Sequence, residues 1–294
     1  MRATARQQIE RLCVALIITM LASVIFLAQS HRFDTTGRLR IWFFDIGQGD
    51  AIFLETPDGH QLLIDGGPSD RVLDKLGSVL WPWDRSLDAI FLTHPHADHV
   101  AGLVSVLEQY AVGTIYDTGT HAYTEVMSTF EHDSITERDS RYETLRADET
   151  LVYGEVTLRV IAPFSDCAGT YPDDPNEASL VLLLTYHDTT VFLTGDAIES
   201  AEPTIAAMAG DIDVLKVGHH GSLTSTSVSM LDAIRPEVAI ISVGEDNSYG
   251  HPHPVVLSRL RAANIRTYRT DLDGDIFLVS DGTEPVVTSS PLPF

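Results

Sequence analysis

The sequence predicts an α/β fold of two β-sheets sandwiched between helices, preceded by one N-terminal membrane segment. Three observations predict it. Short apolar runs separated by turn sequences open the body, alternating strand and helix patterns follow, and strands return toward the C-terminus. The 294 residues are 44% hydrophobic and 21% charged, which excludes a disordered chain, a collagen-like fibre and a polytopic membrane protein.

Residues 1–30 come first. Arg2, Arg6 and Arg11 precede the uncharged stretch from Leu12 to Gln29. Eighteen helical residues reach roughly 27 Å, enough to span a hydrocarbon core. Basic residues ahead of the span place the N-terminus in the cytoplasm and the body outside. A cleaved signal peptide is the other reading, since Leu27-Ala28-Gln29-Ser30 is loosely like a cleavage site. The body is then membrane-anchored and extracytoplasmic, or secreted. Residues 31–38 are a polar linker, and 39–294 form the second domain.

Within the body, Ile41–Phe44, Ala51–Glu55 and Gln61–Ile64 are strands divided by Gly-Gln-Gly-Asp and Pro-Asp-Gly-His turns. A helix is expected at Ser69–Leu80, a buried strand at Ala89–Thr93, a helix at His99–Gln109 and a strand at Thr114–Tyr116. The polar, acidic region 120–150 reads as a lid or surface insertion containing helix. Strand pairs follow at 151–162 and 179–194, the second turning at His187-Asp188. Helices at 198–208, 227–234 and 255–263 then alternate with strands at 213–217, 238–242, 266–269 and 275–279.

Charge constrains the partners. Forty-two acidic against 19 basic residues give −23, and Lys75 and Lys216 are the only lysines. Such a surface repels nucleic acid and anionic lipid, so a polyanion must be held locally, for example by metal ions. Cys13 and Cys167 alone exclude a disulfide framework or a cysteine zinc site.

Histidine placement carries the chemistry. His94, His96, Asp98 and His99 lie within six residues after a predicted strand. Pro95 keeps His94 extended, whereas Asp98 and His99 open the next helix, so the four ligands divide between two positions of a dinuclear site. Gly195-Asp196 ends another apolar strand with a carboxylate able to bridge two metals. His219-His220 ends a third strand with paired imidazoles that need a metal or anion to satisfy them.

These words resemble the metallo-β-lactamase-fold hydrolases, in particular the soluble hydrolase domain of ComEC competence proteins. The resemblance rests on Thr93 to His99, Asp45-Ile46-Gly47-Gln48-Gly49-Asp50, Leu63-Ile64-Asp65-Gly66-Gly67 and Asn176-Glu177-Ala178-Ser179. It continues through Leu193 to Asp196, Leu215 to Ser222, Gly250-His251-Pro252-His253-Pro254 and Tyr268-Arg269-Thr270-Asp271, in family order over roughly 38–282. It implies an αββα sandwich with two divalent metals, Zn²⁺ or Mn²⁺, at one edge between the sheets. Site one would hold His94, His96 and bridging Asp196. Site two would hold Asp98, His99, Asp196 and either His219 or His220, with His219 favoured as ligand and His220 beside the reacting group. Many superfamily members carry a third site-one histidine where this chain reads Asn176 to Ser179. His187, at a hairpin turn, does not replace it, so water or a neighbouring oxygen is expected there. Fewer imidazoles make manganese a rival to zinc.

Other residues gain expected roles. Asp98 would orient the attacking hydroxide, and His220 and His253 would act on the substrate. Asp45, Asp50, Asp65, Asn176, Ser179, Ser222 and His251 are substrate-binding or supporting candidates. The leading function is a phosphodiesterase or nuclease acting on DNA, linked to DNA uptake, with a separate channel protein as a possible partner. Hydrolysis of another phosphodiester, or of an amide, lactone or thioester including a β-lactam, stays open. So does an anchored binding module without activity.

Overall fold

The computed structural model describes residues 5–30, 37–136 and 140–289, without the side chains of 5, 6, 8, 9, 22 and 24–30. The chain divides into two units. Among its described residues, the first is one helix, α1 (Ala5–Ser30). The span expected over 12–29 therefore falls partly outside the described side chains. Among the described residues, no helix is long and apolar enough to cross a membrane.

The second unit opens with antiparallel strands β1 (Leu39–Phe43), β2 (Ile52–Glu55) and β3 (Gln61–Ile64). Then come α2 (Arg71–Val79), β4 (Ser86–Phe91), α3 (Ala97–Gln109), β5 (Ala111–Asp117), α4 (Glu125–Thr136) and β6 (Arg141–Thr144). Strands β7 (Thr150–Tyr153), β8 (Val156–Ala162), β9 (Val181–Tyr186) and β10 (Thr189–Leu193) form a meander. The rest is α5 (Glu202–Ala209), β11 (Val214–Lys216), α6 (Val228–Ile234), β12 (Val238–Ile241), α7 (Pro254–Ala262), β13 (Arg266–Arg269), α8 (Thr270–Asp273), β14 (Ile276–Ser280) and β15 (Val286–Thr288).

Two sheets result among the described residues, ordered β15-β14-β1-β2-β3-β4-β5-β6 and β13-β12-β11-β10-β9-β8-β7. Strands alternate their side chains between faces, and this alternation builds three apolar layers. Ile41, Phe43, Leu54, Leu62 and Phe91 of the first sheet meet Leu158, Leu182, Leu184, Val191 and Ile240 of the second in a central core. Phe53, Leu63 and Ile90 point the other way, onto Leu76, Leu103 and Phe130 of the helices. Phe192, Leu215 and Ile241 do the same against Ile205, Leu231 and Leu260. The predicted helix–sheet–sheet–helix order follows.

Local differences have local reasons. Region 120–150 is no simple lid: α4 packs against α3, and β6 extends the first sheet. All four β6 residues are exposed, so its sequence lacks the apolar alternation that marks a strand. The short elements α8 and β15 are too brief to show a period and were not expected.

Candidate metal centre

Strand direction gathers the site. β3, β4 and β5 run parallel in one sheet, and β10 to β13 run parallel in the other. Asp65, Thr93-His94, Asp196 and His219-His220 each follow one of these strands. In the second turn of α3, Gly102 lies so close to Gly66 that a Cβ on it would collide with the Gly66 carbonyl. That contact seats the helix against the turn after β3 and brings His99 to Asp65.

Asp65 supports the first cluster. Its Oδ1 accepts from the Thr93 N–H at 2.8 Å, and its Oδ2 accepts from Thr93 Oγ1 at 2.8 Å and His99 Nδ1 at 2.7 Å. With Nδ1 so engaged, His99 aims Nε2 into the centre, the usual arrangement of a metal-ligating imidazole. His94 Nε2 lies 3.0 Å from His96 Nδ1 and 3.8 Å from Asp196 Oδ2.

Both residues of the His219-His220 pair have left-handed backbone, with φ of 47° and 52°. Non-glycine residues held there carry strain, and here it splays two neighbouring rings. The His220 ring is buried, its Nδ1 donating to the Ser242 carbonyl at 3.0 Å. Its Nε2 stands 3.4 Å from Asp98 Oδ2, 3.5 Å from Asp196 Oδ2 and 3.3 Å from His99 Nε2. His219 is 24% exposed at its side chain, with Nε2 3.8 Å from Asp196 Oδ2.

Asp196 is the hub. Its Oδ2 faces His94, His99, His219 and His220 within 3.8 Å, while its buried Oδ1 lacks a hydrogen-bond partner. Donor atoms of His94, His99 and Asp196 lie within 4.8 Å of one another, and so do those of Asp98, His99 and His220. A buried carboxylate oxygen without a partner, surrounded by convergent imidazoles, fits divalent cations.

Electrostatics agree. Burial and the nearby His99 push His94 well below the ordinary imidazole range, so it is neutral. Burial opposes the charged forms of His99 and His220. Asp196 and Asp65 overcome it for His99, and Asp196 and Asp98 for His220, and both are raised. Burial would raise the carboxyls of Asp98 and Asp196. The imidazoles of His220 and His99 outweigh that, and both are held well below the carboxylate range. In the metal-free protein the raised His99 and His220 favour holding a proton where metal ions would sit.

The other candidates sort by contact. Asp50 belongs to the cluster, its donor atom grouped with those of Asp196 and His220. Ser179 Oγ accepts from the Asp196 N–H at 3.3 Å. Asn176 is buried beside it in a short 3-10 turn. Asp45 shapes its own loop, accepting from the Gly47 N–H at 3.3 Å and facing Arg71 at 3.8 Å. Ser222 Oγ bonds Thr224 rather than the cluster. His187 sits exposed at the hairpin turn, 3.6 Å from Glu155. His253 caps α7, its Nδ1 accepting from the Val255 N–H at 3.2 Å. The imidazole presented to the cluster by that turn is His251, edge-on to His219 at 5.7 Å. Sequence reasoning passed over Lys216, a fully buried cation 2.8 Å from Asp50 Oδ2. A lysine inside the apolar run Val214 to Val217 was the available signal.

Comparisons with known proteins agree with this arrangement. The family model described as Metallo-beta-lactamase superfamily matches residues 44–245. The chain is 32% identical to ComE operon protein 3 of Bacillus subtilis over 251 residues, 79% of this chain and 32% of that protein. It is 31% identical to Recombination protein 2 of Haemophilus influenzae over 236 residues, 79% of this chain and 28% of that one. The matched region thus spans about a third of the length of these curated relatives. The metallo-beta-lactamase fold protein YhfI of Bacillus subtilis aligns with a TM-score of 0.52 at 15% identity, covering 78% of this chain and 95% of that chain. That likeness speaks for the fold alone. With the family match covering most of the body and both histidine clusters inside it, the chain belongs to the metallo-beta-lactamase superfamily.

Proposed function

We propose that this metallo-hydrolase is a dinuclear phosphodiesterase whose substrate is nucleic acid. The observation that carries the reading is the convergence of His94, His99, His219 and His220 on one oxygen of Asp196, with Asp98 3.4 Å from His220. His94, His96, Asp196 and His219 would hold one ion, and Asp98, His99, Asp196 and His220 the other. His219 thereby supplies the imidazole that the stretch 176–179 lacks. Two such ions, zinc or manganese, supply a nucleophile at neutral pH and neutralise charge on a phosphoryl group.

The chain's own residues do the rest. Asp98, kept ionised, accepts a hydrogen bond from the attacking water and orients it. Asp65 fixes the His99 ring, and the Ser242 carbonyl fixes that of His220. Burial and the neighbouring His219 and His220 lower His251, so it is a neutral donor for a phosphate oxygen. Nucleic acid is favoured over other phosphodiesters by similarity to Competence protein ComA of Neisseria gonorrhoeae and Recombination protein 2 of Haemophilus influenzae. We further assign α1 to membrane attachment with the body outside the cytoplasm, and a separate channel protein as a possible partner.

The test is hydrolysis by the full chain supplied with Zn²⁺ or Mn²⁺, on DNA, bis-p-nitrophenyl phosphate and nitrocefin. Turnover of the first two supports the reading. Turnover of nitrocefin alone assigns a β-lactam-type substrate, and no turnover with either metal points to a binding module.

A further inference from the structure

Three loops leave strand ends at the metal-bearing edge. They follow β5 (residues 118–124), β8 (163–180) and β12 (242–253). The first two are tied together, Gly169 N–H to Gly119 O and His121 N–H to Thr170 O, both at 2.9 Å. They carry a ladder of rings. Tyr123 stacks on Tyr171 at 4.3 Å and 13°, and Tyr171 stacks on His121 at 5.2 Å. Tyr123 is nonetheless 89% exposed, so its outer face is open.

The third loop carries Tyr249, which is 69% exposed. One face of its ring lies on His251, at 5.8 Å and 24°. His251 is edge-on to His219, whose Nε2 faces Asp196. Tyr249 is therefore the outermost ring of a series that begins in the metal cluster. Single exposed tyrosines need no explanation. A flat open ring two side chains from the reacting centre does.

Charge decides what it can hold. The chain carries −23. Arg71 after β3 and Arg269 at the end of β13 face Asp45 and Asp271, and the buried Lys216 faces Asp50. A strand gripped by its phosphates alone would be repelled outside the metals. Stacking on a base face needs no positive charge, and aromatic platforms are how sequence-tolerant single-strand binders gain affinity.

We infer that Tyr249 stacks the nucleobase next to the scissile phosphate, and that the Tyr123–Tyr171 pair is a second base platform at the same edge. This rests on the nucleic-acid reading above. Because paired bases hide their faces, the site takes unpaired strands or frayed ends.

The experiment compares strands of equal charge. Phosphorothioate oligothymidylate and a phosphorothioate abasic strand, each of about twelve nucleotides, are bound to the metal-supplied full chain and followed by fluorescence anisotropy. The base-bearing strand should bind about tenfold more tightly for each of the two platforms, the effect of one base–aromatic stack apiece. Tyr249→Leu should lose about tenfold of that preference, leaving the share of the Tyr123–Tyr171 pair, and Tyr249→Trp should keep all of it. The ring is on the surface, so neither variant threatens the fold. Equal binding of both strands by the wild type, or a preference undiminished in Tyr249→Leu, overturns the proposal. Hydrolysis of unmodified strands is measured in parallel. Hydrolysis without base preference removes the stacking role alone. Base preference without hydrolysis keeps it and removes the nuclease.

Discussion

Lys216 and Asp50 form an ion pair inside the protein, Nζ 2.8 Å from Oδ2, with both side chains closed off from solvent. The ammonium also donates to the Val217 carbonyl at 3.1 Å. The other oxygen of Asp50 has no hydrogen-bond partner and lies 3.6 Å from His220 Nδ1. Lys216 thus balances a carboxylate that stands directly behind a metal-ligand candidate, and ties β11 to the loop after β1. Removing one member of a buried pair strands the other charge, at a cost of about 3–5 kcal/mol. Lys216→Met should lose about that much in denaturant unfolding of the metal-free protein. The double variant Lys216→Met with Asp50→Asn should recover most of it. A single variant as stable as the wild type would show that the pair contributes nothing to the fold.

His99 gives the metal-free protein a pH dependence with a definite sign. Burial disfavours its charged form, but Asp196 and Asp65 outweigh burial and raise it well above the imidazole value of about 6.5. The folded state then binds a proton that the unfolded chain releases. The stabilisation is fully present below about pH 6.5 and is lost as pH rises through the raised folded value. Metal ions must displace that proton, so their binding strengthens with pH. Between about pH 7 and 9, the melting temperature of the metal-free protein should fall while the increment from added Mn²⁺ grows. His99→Gln should flatten the metal-free slope. A metal-free melting temperature that climbs over this window would contradict the assignment.

In the proposed site Asp196 bridges the two ions, and both imidazoles after β11 face its Oδ2, His219 at 3.8 Å and His220 at 3.5 Å. Asp196→Ala should drop the metal content from about two ions per chain to one or fewer, read by elemental analysis. His220, buried between Asp98 and His99, and His219, partly exposed beside His251, should affect different ions. Chelator competition on His220→Ala and His219→Ala should weaken one class of site each, by about 10–100-fold or more. Both variants weakening the same ion would collapse the two-site division.

What was readable in the sequence follows from how local each feature is. His94 to His99 declared two geometries because Pro95 and a helix start lie within six residues. The layer order was readable because short apolar runs such as β9, β12 and β14 are bounded by turn sequences and divided by helical stretches. The choice between His219 and His220 was not, since positive φ at both residues decides which ring turns inward. Spacing predicts no such turn. Tyr123 and Tyr171 are 48 positions apart in the chain and meet only because two loops are tied by backbone hydrogen bonds. The His253 reading was correctable from sequence, because a proline at the first position of a helix marks its predecessor as the cap.

That correction separates two neighbouring histidines by kind of effect. His253 Nδ1 accepts the Val255 N–H, one of the donors left open at the start of α7. His253→Ala should therefore cost about 1 kcal/mol of stability and leave turnover close to wild type. His251 has a buried Nδ1 without a partner and a ring packed between Tyr249 and His219. Its lowered pKa keeps it neutral, so it can donate from Nε2 to charge that grows on phosphate in the transition state. Losing such a donor costs on the order of 10²–10³ in kcat, about 3–4 kcal/mol of barrier. His251→Ala should show that loss with metal content unchanged, and the Asn247 side chain, which donates to the residue 251 carbonyl and accepts its N–H, should preserve the loop. Steady-state kinetics, elemental analysis and thermal melts on both variants separate the roles. Lost metal in His251→Ala would make it a ligand, and lost turnover in His253→Ala at full stability would return the substrate contact to that side chain.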